Sequence, residues 1–131
     1  MADEKSRWEE GREVAKRLFG ERVAKTVEES LGKMSPGFQE FVMEGFGLYD
    51  RPALDWKMRS AITIAVLTAL GRSQELVLHI RGGLNVGLTE EQIREIILQV
   101  ALYAGVPAAV EAYLVANKMF DKIKEKGDAR A

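Results

Sequence analysis

An all-α fold follows from three properties of this 131-residue sequence. Apolar residues recur at three- and four-residue spacing along most of the chain, the pattern of amphipathic helices. No stretch sustains a period-two alternation and no Asn-Gly turn occurs, so hairpins lack both of their usual signals. Gly, Pro, Ser and Thr fall where helices would begin and end. The prediction is one domain over residues 1–131, built from about six to seven helices.

Residues 6–19 form a charged amphipathic helix with Trp8, Val14, Ala15, Leu18 and Phe19 as its apolar positions. Gly20 interrupts it, and residues 21–32 continue as a second helix carrying Val23, Val27 and Leu31. Ser35 is an N-cap, with Pro36 at the first helical position. The short helix that follows carries Phe38, Phe41, Val42 and Phe46 and completes an N-terminal helical region over 6–47. These aromatic residues, with Trp8 and Tyr49, are expected to fill the core rather than line a pocket. Gly45, Gly47 and Tyr49-Asp-Arg-Pro52 read as a loop. Asp55 caps a helix over 56–70, which Gly71 closes, and Ser73 caps the next, over 74–86, which Gly87 closes. Thr89-Glu-Glu-Gln92 is a capping box opening a helix to residue 103. Ala104-Gly-Val-Pro107 makes a corner, the last helix spans 108–124, and the tail from Lys126 frays.

Two features point to partners. Ala61-Ile-Thr-Ile-Ala-Val-Leu-Thr-Ala-Leu70 has no charged face, and a helix apolar all round must be surrounded. In so small a chain, other subunits would supply part of that cover, so a homo-oligomer is expected. Gly82 and Gly83 lie inside the following helix, where each costs roughly 1 kcal/mol relative to Ala. Close approach of another backbone or a ligand is the expected compensation.

Composition excludes several function classes. With 19 basic and 20 acidic residues the net charge is −1, which gives no pull toward nucleic acid or a membrane surface. There is no cysteine, so disulfides, thiolate nucleophiles and Cys-ligated metals are excluded. The longest apolar run, residues 61–70, is too short to span a bilayer. The polar opening Met-Ala-Asp-Glu-Lys-Ser-Arg has no apolar segment behind it, and a cytoplasmic protein is expected.

The chemistry centres on the one histidine, His79, with Glu75 four residues earlier on the same helix face. An exposed pair of this kind contributes only a few tenths of a kcal/mol. A buried histidine satisfied by a carboxylate is a second structural reading. The functional reading is a general acid/base pair, in which Glu75 fixes the tautomer of His79 and raises its basicity. Arg51, Arg59, Arg72 and Arg81 surround this helix in sequence. Each alone is ordinary solvated charge, but together they suit a substrate carboxylate, which a guanidinium fork matches bidentately. A metal centre is disfavoured, because one His and one Glu supply only two ligands. No phosphate cradle follows a strand.

The run from Asp55 to about Ala116 resembles the carboxymuconolactone decarboxylase family, part of the AhpD-like fold. The resemblance lies in Arg59-Ser60, Leu70-Gly71-Arg72, Glu75-Leu76 with His79, Arg81-Gly82-Gly83-Leu84-Asn85-Val86-Gly87, Thr89 with Glu91, and Tyr103-Ala-Gly-Val-Pro-Ala-Ala109. The peroxidase branch of the fold places a Cys-x-x-Cys pair before its histidine, and here those positions are Arg72 and Glu75. Its glutamate twelve residues before the first cysteine is Ser60 here. A dithiol peroxidase cycle is therefore excluded, and the sequence resembles the decarboxylase branch, which needs no thiols.

That resemblance implies a homo-oligomeric helical protein, a hexamer built as a trimer of dimers. It implies a carboxy-lyase acting on a small anionic lactone in aromatic (protocatechuate) catabolism. No cofactor is implied, because the unsaturated lactone is its own electron sink. The protein must hold carboxylates, stabilise an enolate and protonate carbon. Arg51, Arg59 and Arg72 suit the first task, Arg81 or Asn85 the second, and His79 with Glu75 the third. The alternatives are a relative acting on another small carboxylate or carbonyl compound, and a non-catalytic oligomeric binding protein.

Overall fold

A computed structural model describes residues 4–127. Among the described residues there are seven α-helices, one 3₁₀ turn and no strand. The helices are α1 (Arg7–Phe19), α2 (Glu21–Met34), α3 (Pro36–Gly45), α4 (Trp56–Leu70), α5 (Ser73–Asn85), α6 (Glu90–Ala104) and α7 (Val106–Glu125), and the 3₁₀ turn is Phe46–Asp50. The chain divides into two compact units, one up to Trp56 and one from Lys57. None of the described helices is long and apolar enough to cross a membrane. The tail beyond Gly127, where fraying is expected, lies outside the described residues.

In the first unit α1 packs on α2, α3 and the 3₁₀ turn. Its N-terminus is closed by a reciprocal box in which the Glu9 N–H donates to Ser6 Oγ and the Ser6 N–H donates to the Glu9 carboxylate. Val14, Ala15, Leu18 and Phe19 are its buried stripe. Gly11 lets α1 touch the backbone of α3, since a Cβ there would lie 1.7 Å from the Met43 carbonyl oxygen. Arg12 donates two bonds to the Glu28 carboxylate, at 2.8 and 3.0 Å, tying α1 to α2. Gln39 Nε2 donates to the Glu28 carbonyl at 2.7 Å, tying α3 to α2. Ser35 caps α3 with Pro36 beside it, as predicted.

The aromatic expectations hold only in part. Tyr49 is buried and meets the Trp56 ring edge-on. Trp8 is half-buried under the Arg12 guanidinium. Phe38 and Phe41 are exposed, Phe41 at 75%, and Met43 is the residue of α3 that enters the core. The segment expected to be a loop starts as the 3₁₀ turn, which presses Phe46 edge-on to Phe19.

The second unit has its own core, including Ile64 of α4, Leu76, Ile80 and Leu84 of α5, Ile93 and Ile97 of α6, and Ala112, Ala116 and Phe120 of α7. Each fully buried Leu, Ile or Phe contributes on the order of 1.5–3 kcal/mol. Helix α7 packs against both α5 and α6. Thr89 and Gln92 form the predicted capping box of α6. Gly83 is explained by side chains rather than by a backbone or ligand, because a Cβ there would come 3.0 Å from Leu88 Cδ1 and 3.1 Å from Ile64 Cδ1. The apolar helix α4 buries Ile64 but leaves Met58, Ile62, Val66 and Leu70 about half exposed. A largely apolar groove of about 580 Å³ runs between α4 and α6.

Candidate proton-transfer and carboxylate site

Helix α5 positions the site. Leu76, Ile80 and Leu84 recur every fourth residue and are buried, which fixes the rotation of the helix about its axis. His79 lies about 60° from Leu76 around that axis, at the edge of the core, and is half-buried. Glu75, one turn earlier, is exposed. Arg72 is the N-cap residue of α5 and is also exposed. Positions 72, 75 and 79 therefore share one side of the helix.

Burial pushes the His79 imidazole down to about 4, and the negative charge of Glu75 pulls it the other way without making up the difference. The carboxylate favours the charged ring, as the sequence suggests, but the net basicity is lowered rather than raised. Near neutral pH the ring is an uncharged imidazole that can accept a proton at one nitrogen and donate from the other.

The remaining sequence-predicted residues lie on other elements or on other sides of α5. Arg59 is half-buried in the first turn of α4, where its carbonyl accepts a bond from the Thr63 hydroxyl at 2.9 Å. Arg81 leaves α5 about 200° around the axis from His79, on the opposite side. Asn85 is the exposed last residue of α5, about 120° from His79. Arg51 is the exposed C-cap of the 3₁₀ turn and belongs to the first unit. Within the second unit, α5 thus aligns Arg72, Glu75 and His79 and separates them from Arg81. Among the described residues no group of three or more His, Cys, Asp or Glu side chains is arranged to hold a metal ion.

Two residues carry interactions that sequence reasoning missed. Ser73 is not the N-cap of α5; it is the first helical residue, and its hydroxyl donates to the carboxylate of Glu111 on α7. The two are 38 residues apart, so no local pattern signals the contact. Beside them the Thr68 hydroxyl is buried with no hydrogen-bond partner.

These features define a class, an all-α protein with no thiol whose candidate site is made of imidazole, carboxylate and guanidinium groups. The chain belongs to the carboxymuconolactone decarboxylase family, whose sequence profile matches residues 36–118. It is 39% identical over 122 residues to the 4-carboxymuconolactone decarboxylase of Acinetobacter baylyi, covering 92% of this chain and 90% of that protein. It is 36% identical over 124 residues to the nitrosuccinic acid decarboxylase npaB of Metarhizium robertsii, covering 92% of this chain and 86% of that protein.

Proposed function

We propose that this protein is a cofactor-independent carboxy-lyase whose substrate is a small dicarboxylate carrying its own electron acceptor. The observation that carries the proposal is that two relatives aligning with nine-tenths of the chain are decarboxylases of unlike substrates. A carboxymuconolactone and nitrosuccinic acid differ in skeleton. Each has two carboxylates, and each has an acceptor for the electron pair, an unsaturated lactone in one and a nitro group in the other. Decarboxylation of a carboxymuconolactone is the leading reading.

The chemistry needs little from the protein. The bond to the leaving carboxylate breaks, its electron pair moves into the acceptor, and carbon dioxide departs. The resulting enolate or nitronate then takes a proton at carbon. Arg72 and Arg59 are the proposed holders of the carboxylates. His79 is the proposed proton donor. It is neutral in the free protein, and a bound dianion favours its protonated form, so substrate binding draws a proton from solvent onto the ring. Glu75 orients the ring, and Asn85 is the proposed donor toward the acceptor oxygen. Arg81 has no part in this arrangement because it leaves α5 on the far side.

The test is carbon dioxide release from carboxymuconolactone and from nitrosuccinate, with succinate, which lacks the acceptor, as the control. Turnover of at least one of the first two and none of succinate is expected. No turnover of either above the uncatalysed rate would refute the proposal.

The proposed assembly is a homohexamer, a trimer of dimers. It is supported by the apolar stripe left uncovered on α4 and by the α4–α6 groove, which holds none of the candidate catalytic residues. Light scattering on the purified protein decides it, and a monomer at micromolar concentration would refute it. A cytoplasmic location fits the cysteine-free composition.

A further inference from the structure

We infer that Glu111 of α7 is a positioning residue that anchors Ser73, directly after Arg72, and so presents the Arg72 guanidinium to a substrate carboxylate. The inference rests on the decarboxylase reading and names how one end of its site is held.

The turn between α4 and α5 is short and is held locally by backbone bonds alone. Gly71 takes a positive φ of 70°. The Arg72 N–H donates back to the Leu67 carbonyl at 2.9 Å, which ends α4. The N-cap of α5 is Arg72 itself, and no side chain caps the first free N–H groups of that helix. Support comes instead from α7, whose Glu111 accepts the Ser73 hydroxyl through Oε1. Its other oxygen lies alongside Gly71, 3.9 Å from where a Cβ would sit. Serine, directly after Arg72, is thus bonded to a carboxylate that also lies near Gly71. That carboxylate also stands at the positive end of the α5 dipole, which favours it there.

Glu111 does not neutralise Arg72. Among the described residues no ion pair joins Arg72 to any acid. The residue after Arg72 is anchored while the guanidinium remains for a ligand, which is what carboxylate capture requires. The clamp also fixes the first turn of α5, where Glu75 lies.

Two effects of Glu111 oppose each other, which makes the sign of the outcome informative. A bare negative charge near an anion site repels a dicarboxylate, so its removal would tighten binding. A clamp that orders Arg72 does the reverse. The probe is succinate, a dicarboxylate without the electron acceptor, whose binding is followed by the imidazole resonances of His79. The chain has one histidine, so the signal has one source.

Glu111→Ala and Ser73→Ala are each expected to weaken succinate about fivefold. Each should raise KM for decarboxylation by a similar factor and leave kcat within about twofold. Glu111→Gln keeps an oxygen for the Ser73 hydroxyl and should stay within about twofold of wild type throughout. Unchanged or tighter succinate binding in Glu111→Ala overturns the inference, as does a Gln variant as impaired as the Ala variant. Wild-type protein that ignores millimolar succinate overturns it too. Should Glu111→Ala fail to fold, Ser73→Ala carries the same test. The succinate series needs no turnover, so an absence of decarboxylation refutes the proposed function while the clamp is still judged on binding.

Discussion

The two units solve the same problem, closing a small helical core, in different ways. In the first, caps and cross-helix side-chain bonds supply polar partners. Ser6 and Glu9 cap α1, Ser35 caps α3, and Arg12 and Gln39 both converge on Glu28. In the second, α6 is capped as fully and α5, like α2, has no side-chain cap, but Thr68 is buried without a hydrogen-bond partner among the described residues and His79 is pushed into its neutral form. Departures from local consistency concentrate where a protein does chemistry. In the second unit those departures fall on α4 and α5, the helices that carry the proposed site.

That contrast is exposed to attack from both sides. The largest effect is expected at His79. His79→Gln should lower kcat about 100- to 10,000-fold, the range for losing a general acid, with the melting temperature at pH 7 little changed. Steady-state decarboxylation beside a thermal melt checks both, and unchanged turnover would remove His79 from the mechanism. Gly11→Ala should do the opposite in the first unit. Its methyl group would lie 1.7 Å from the Met43 carbonyl oxygen, and a backbone atom cannot rotate away. A loss of about 3 kcal/mol or more is expected in urea unfolding. Gly83→Ala in the second unit meets only the ends of Leu88 and Ile64 and gains helix propensity, so its change should stay within about 1 kcal/mol. Equal losses at the two glycines would erase the contrast.

A third effect is pH-dependent and belongs to the second unit. The folded state holds His79 near 4, while an unfolded chain returns it to about 6.5. Between those values the unfolded state binds more protons, so stability falls as pH drops through the window. The full loss is about 3 kcal/mol. Urea unfolding from pH 7 to pH 4 should show this slope in the wild type and a shallower one in His79→Gln. Identical slopes would show that the ring is not buried in its neutral form.

Much of the fold is written locally, which is why helix boundaries were legible. Ser35-Pro36 and Thr89-Glu-Glu-Gln92 are short-range signals that the structure uses as read. Periodicity also says which residues share a face, but not which face is covered. Phe38 and Phe41 share one, and the core took Met43 instead. Within the site, the shared side of Glu75 and His79 follows from spacing alone, and so does the opposed direction of Arg81. The charge state of His79 does not, because it depends on burial by residues distant in sequence. The bond between Ser73 and Glu111 is likewise a product of tertiary packing. Serine after a glycine reads as a cap until α7 is in place.

The smallest effect concerns Thr68, the sharpest sign of unmet local demand in the second unit. Its hydroxyl is 99% removed from solvent with its residue and has no hydrogen-bond partner, while its carbonyl is engaged by the Gly71 N–H at 3.2 Å. An unpaired buried hydroxyl costs about 1–3 kcal/mol, and Val replaces it with a methyl group of nearly the same shape. Thr68→Val should therefore stabilise the protein by about 1 kcal/mol in urea unfolding, an unusual direction for a core substitution. Because Thr68 lines the same small recess as Gly71 and Arg72, the same variant separates two origins for the isolation of its hydroxyl. A stabilised variant with unchanged KM marks Thr68 as a flaw in packing. A destabilised one would mean that the hydroxyl holds a bound water, and the second unit would then be as well satisfied as the first.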